Sequence, residues 1–209
     1  MEPVFRERGA RVTYRRGRRL EEKESGRWLT LVERVDSEIA DVPAAIHVMD
    51  READAYELLA ALCAGTHHFI IKLQIDRAAD TTLGRGRISD VMKRSRTLLT
   101  REVTLSARTP KRAGPPSRAR KHPYRRSRPA ILSVSASSLT IRRPRHGRSH
   151  VPEALRLNVV RVHEKNARQG VDPVEWRLVT SEPIDTVEDV AAIVDGTALA
   201  GSSRSTSGP

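Results

Sequence analysis

Aromatic residues are scarce, with two Phe, two Trp and three Tyr in 209 residues. Hydrophobic residues of every kind reach only 38%. A chain long enough for one ordinary domain therefore has thin means for a self-sufficient core, and part of it is expected to pack poorly. A single cysteine, Cys63, excludes an intrachain disulfide and favours the cytosol. No apolar run approaches the roughly 20 residues of a membrane span, and Met1–Ala10 has no signal-peptide core. Amphipathic helices with Lys on one face, the mark of a membrane-surface protein, are missing too. These absences lead us to expect a soluble, cytoplasmic protein with no membrane partner. Acid is missing in one place: no Asp or Glu occurs between Val103 and Pro152.

That same stretch holds thirteen Lys or Arg, from Arg108 to Arg148, while the whole chain is +12. One block therefore accounts for the entire surplus, and a surplus of that size points to a polyanion, nucleic acid first. Arg120, Lys121, Arg125 and Arg126 lie where it is densest, inside "RTPKRAGPPSRARKHPYRRSR". Its prolines and lack of apolar periodicity predict a disordered basic loop near 108–130. A second cluster, "RRGRR" at 15–19, is partly offset by Glu21, Glu22 and Glu24 and ends a basic, flexible segment over 1–20.

Before the block the pattern is α/β. "ESGRWLTLVERV" (24–35) predicts a helix with Trp28, Leu31, Val32 and Val35 on one face. "AAIHVM" (44–49) and "HHFIIKL" (67–73) have strand length, and between them Asp54 caps a helix that runs through Leu62 and ends at Gly65. Strand, helix, strand over about 30 residues predicts a parallel, right-handed crossover. From about Lys72 to Glu182 the period becomes two, in "REVTLSA", "AILSVSASSLTIRR", "LRLNVVRVHE" and "VEWRLVTSE", which predicts half-solvated antiparallel strands. "DTVEDVAAIVD" (185–195) predicts a capped helix, and the aperiodic "GTALAGSSRSTSGP" after it a disordered tail.

Asp50 falls at the carboxyl end of the 44–49 strand, where open α/β sheets collect ligands. Two readings of it stand side by side. It is either a carboxylate for Mg²⁺ or Mn²⁺, or a turn cap paired with Arg51.

"HVMDREADAYELLAAL…FIIKLQIDR", in order with "EEKESGRWL" before it and "LRLNVVRVHEKN…VEWRLVTSEPIDTVEDVAAIVD" behind it, resembles the bacterial DD(E) transposases of the IS-four type. The likeness is collinear over Glu21–Asp195 and weakest in the basic loop. It implies a partial RNase H-like core over 21–73, a β insertion over 74–182 and a core helix over 183–195. It also implies two Mg²⁺ or Mn²⁺ ions held by three carboxylates for cutting and joining DNA strands, with transposon ends as the partner. Asp50 matches the second carboxylate. Lys72 stands where the family usually has an Arg beside DNA, which keeps the charge and loses the bidentate fork. Trp176 matches a tryptophan of the base-flipping step, its plainer role being a half-buried strand aromatic. Arg77 is either a phosphate contact or a solvated surface charge.

The resemblance also marks gaps. The family's first Asp should lie well upstream of Glu21, and its last motif, Tyr-x-x-Arg-x-x-x-Glu, should follow Asp195. Neither is found here. One legal back-translation of Gly196–Pro209, read in the shifted frame, yields Tyr-Arg-Ala-Arg-Trp-Leu-Ile-Glu. Codon degeneracy permits a frameshift after Asp195, which the gene's own nucleotides would test. With one carboxylate of three, catalysis is expected to fail. What is left is DNA binding, or pairing with a full-length transposase as its inhibitor.

Overall fold

The computed structural model describes residues 24–39, 45–81, 84–107, 126–145, 150–167, 171 and 173–202. The basic segment over 1–20, Arg120, Lys121, Arg125 and the tail beyond Ser202 lie outside them.

Helix α1 spans Glu24–Glu38. Val32 is 2% exposed at the centre of its buried stripe, with Trp28 and Leu29 packed beside it. Leu31, expected on that face, is 53% exposed. One residue turns the helix by about 100°, so Val32 and Leu31 cannot share the stripe's centre.

Strand β1 (Ile46–Met49) runs into a 3₁₀ turn, Arg51–Ala53, and then α2 (Tyr56–Ala64). Leu58, Leu59 and Leu62 of α2 are fully buried. Strand β2 (His68–Lys72) then lies parallel to β1, from Ile46↔His68 to Met49↔Ile71. The expected parallel strand-helix-strand unit is present.

Beyond it all pairing among the described residues is antiparallel. The strands are β3 (Ala78–Thr81), β4 (Gly84–Arg87), β5 (Leu99–Leu105), β6 (Arg128–Arg142), β7 (Ala154–Lys165) and β8 (Glu175–Thr180). The sheet order is β1-β2-β8-β7-β6-β3-β4, with β5 also on β6. The 15-residue β6 is long enough to give one end of its free edge to β5 and the other to β3. The expected core and insertion thus share one mixed, largely antiparallel sheet, joined where β2 meets β8 at Ile71↔Val179. Arg128–Ala130, expected in the basic loop, already belong to β6.

Side chains alternate across a strand, and here the central strands are buried on both faces. Ile71, Val159 and Val179 enter one cluster with α1 and α2, while their neighbours Ile70, Val160 and Leu178 enter the other. Half-solvation, expected from the period of two, therefore fails at the centre of the sheet. The second face is covered by helix α4 (Val187–Ser202), whose Val190, Ile193 and Val194 share a cluster with Leu132, Val134 and Val162.

Helix α4 runs Val187–Ser202, seven residues past Asp195. The tail expected to be disordered from Gly196 is helical that far. Ala198, Leu199 and Ala200 are strong helix formers, and Thr197 Oγ1 donates to the Val194 carbonyl at 2.7 Å. Its start is capped reciprocally: Asp189 accepts from Thr186 N, and Thr186 Oγ1 accepts from Asp189 N. A short helix that the sequence did not announce, α3 (Ile88–Arg94), buries Ile88 and Met92 completely. Among the described residues no helix is long and apolar enough to cross a membrane.

Candidate nucleic-acid interface

Asp50 ends β1 and keeps its place at the carboxyl end of a parallel strand. Its Oδ1 accepts the Arg51 backbone N–H at 2.8 Å, capping the 3₁₀ turn, and Arg51 Nε lies 3.8 Å away. The side chain is 45% exposed. The turn-cap reading is therefore the one seen, at the position the metal reading required. Among the described residues no three His, Cys, Asp or Glu side chains gather to hold a metal. One exposed carboxylate tied to its neighbour's amide does not fit a site for Mg²⁺ or Mn²⁺, which ask for several converging oxygens.

Asp54, four residues on, does not cap α2, whose N-cap is Ala55 with no side-chain bond. It turns inward instead and is 6% exposed. Its Oδ2 accepts from Gln74 N at 2.6 Å and Ile75 N at 2.7 Å, and its Oδ1 takes the Arg77 guanidinium. Arg77 also donates to the Asp54 carbonyl at 2.9 Å and is itself 4% exposed. A phosphate contact by Arg77 would need it to leave this pocket and strand a buried carboxylate. Its place is structural: it clamps the segment after β2 onto the turn after β1.

The next acid in that segment, Asp76, holds α3. It accepts from Ser89 N at 2.9 Å, Ser89 Oγ at 2.6 Å and Arg177 at 2.9 Å. Burial works to raise its pKa, but the Ser89 bonds and Arg177 outweigh it and hold the carboxyl below its ordinary range.

Two of the residues expected to touch DNA come together. Lys72 Nζ sits 5.9 Å from the centre of the Trp176 ring, a cation–π distance, because β2 and β8 pair at Lys72↔Leu178. Both are half-buried at the sheet's α4 face. Arg126 is exposed just before β6.

No protein-family model matches this chain.

Not all of the basic block is available to a polyanion. Arg128 is held by Glu164, one of its two contacts being 2.7 Å, and Arg142 by Asp80 at 2.6 Å. Outside the block, Arg161 pairs with Glu175 at 2.9 Å, and Arg101 with Asp195. Sequence reasoning counted these cations without their partners, because each partner lies fourteen or more residues away and meets its cation only on folding.

Proposed function

We propose that this chain binds DNA without cutting it, as a catalytically silent relative of the DD(E) transposases of the IS-four type. The observation that carries the reading is an order of residues along the fold. Asp50 ends the first parallel strand, a helix follows, Lys72 ends the second, and β8 returns Trp176 onto Lys72. On this reading β1-α2-β2 is part of an RNase H-like core and β3 to β8 its antiparallel insertion. The donor set around Asp50 does not fit the family's ions, so no chemical step is assigned to it.

Binding would be electrostatic. Lys and Arg side chains neutralise phosphates and release counterions, so affinity falls steeply with salt. Trp176 would offer a face for an unstacked base, with Lys72 as a point charge beside it. A gel-shift and cleavage assay on duplex DNA with Mn²⁺ tests the reading. Salt-sensitive retention with intact strands is the expected result, and cleaved strands would overturn the silent assignment.

A second reading is favoured by one feature. Among the described residues β1 pairs only with β2, which leaves its other edge as a row of backbone donors and acceptors. Ile46 beside that edge is 48% exposed. A strand of a full-length transposase could add there, making this chain its inhibitor. Co-elution of the two chains, abolished by Val48→Pro, is the expected outcome; separate elution at micromolar concentrations rejects it.

A further inference from the structure

Six buried side-chain polar atoms have no hydrogen-bond partner among the described residues. Four of the six share one patch: Ser133 Oγ, Ser135 Oγ, Arg161 Nε and His163 Nδ1. The register puts Ser133 opposite His163 and Ser135 opposite Arg161 on neighbouring strands β6 and β7. Each of the four therefore stands on the same face of the sheet, a two-by-two block.

That face is the one carrying Leu139 and Ile141 further along β6, where both enter the core against the helices. At 135 and 133 the apolar side chains give way to hydroxyls, and both serines are 1% exposed. Thr100 of β5 flanks Ser133 on one side, and Arg177 and Glu175 of β8 follow Arg161 and His163 on the other. Buried polar groups in native proteins are nearly always bonded, and leaving several unbonded together costs stability. Such a cluster asks for a partner that the described residues do not supply.

We infer that Ser133, Ser135, Arg161 and His163 form a binding site for a phosphoryl oxyanion, supplied by a nucleic-acid strand or by free phosphate. Arg161 Nε is a donor with no acceptor capacity, serine hydroxyls rotate to donate, and imidazole donates from both nitrogens when charged. A phosphoryl group is acceptor-rich and matches that set. The ion pair Arg161–Glu175 leaves its carboxylate 37% exposed. Exchanging that carboxylate for a phosphoryl oxygen keeps the charge of Arg161 balanced. Burial first, and Arg161 second, lower the His163 pKa, with Lys165 adding to them, while Glu175 and a hydrogen bond to the Ser133 backbone oppose them. An arriving anion works against that lowering, so binding takes up a proton and tightens as pH falls.

Only the nucleic-acid source rests on the DNA-binding reading, and the test keeps the two apart. Ser133→Ala/Ser135→Ala is compared with the parent in the full chain. Probes are inorganic phosphate, followed by ³¹P line broadening, and a labelled single-stranded oligonucleotide, followed by anisotropy at fixed salt. The double variant should keep or raise the urea midpoint, since the hydroxyls it removes have no protein partner. It should weaken binding of at least one probe by tenfold or more. Loss confined to phosphate identifies the free anion as ligand, and loss confined to the oligonucleotide identifies the strand. His163→Gln should abolish the tightening at low pH and leave affinity at pH 8 within twofold. If the parent binds the oligonucleotide and the double variant binds both probes equally well, the site is refuted while the DNA reading stands. If the parent binds neither probe, both fall.

Discussion

Asp50 and Asp54 lie four residues apart, and environment alone separates their work. Asp50 faces solvent and caps a turn; Asp54 is sealed beneath the chain with two amides and a guanidinium. Breaking a buried pair from one side strands the other charge, at a cost of about 3–5 kcal/mol. Asp54→Ala should lose about that much stability by urea denaturation, because it also leaves the Gln74 and Ile75 amides unbonded. Asp50→Ala removes only an exposed cap and should cost about 1 kcal/mol. Arg77→Met should lower stability and leave the salt dependence of DNA binding unchanged; a shallower salt slope would return Arg77 to the phosphate contacts.

Protonation separates residues in the same way. Asp76 and Glu175 are held below the ordinary carboxylate range, Asp76 against burial and Glu175 chiefly by the hydrogen bond from Arg161. Their stabilisation is complete above the unfolded values of about 3.9 and 4.3 and fades as pH falls further. His163 is also depressed, so its folded form resists protonation. Its contribution is complete above about pH 6.5 and is lost on acidification through that value. The urea midpoint should therefore fall in two steps, one setting in below about pH 6.5 and one below about pH 4. His163→Gln should remove the first step alone, and a first step unchanged in that variant would contradict this assignment.

At the scale of elements, what was legible followed hydrophobic period. The alternation in "AILSVSASSLTIRR" and "LRLNVVRVHE" marks β6 and β7 within two residues of their observed ends. Short elements were not legible, because their anchors lie elsewhere. Helix α3 depends on Asp76 bonding Ser89, thirteen residues away, and β4 reads as "GRGR", with no apolar residue to announce it. The end of α4 was missed for another reason. Gly196 and Thr197 look like a stop, yet the helix passes through both. A Cβ at position 196 would meet only Ile70 Cδ1, at an ordinary 3.7 Å. Gly196→Ala should therefore stabilise the protein by about 0.5–1 kcal/mol. A loss of stability would place the helix end at Asp195. Beneath the same helix, Ile193→Ala removes a side chain that is 2% exposed and should cost about 2–5 kcal/mol.

For the whole molecule, the sheet sorts the chain's charge as much as its apolar surface. Arg101, Arg128, Arg142, Arg161 and Arg177 each meet an acid from another part of the chain, so the cations left for a polyanion are fewer than composition implies. The site was legible in part. Asp50 follows the first parallel strand, as its place after the apolar run predicts, whereas the approach of Lys72 to Trp176 was not foreseen. The inward turn of Asp54 and the unbonded hydroxyls of Ser133 and Ser135 depend on strands that only folding brings together. The most direct measurement is the affinity of the full chain for duplex DNA, followed by anisotropy between about 50 and 200 mM salt. If the chain engages six or more phosphates, affinity should fall by about a thousandfold across that range. Binding that is absent at 50 mM, or flat with salt, would contradict a protein that holds DNA by its charge.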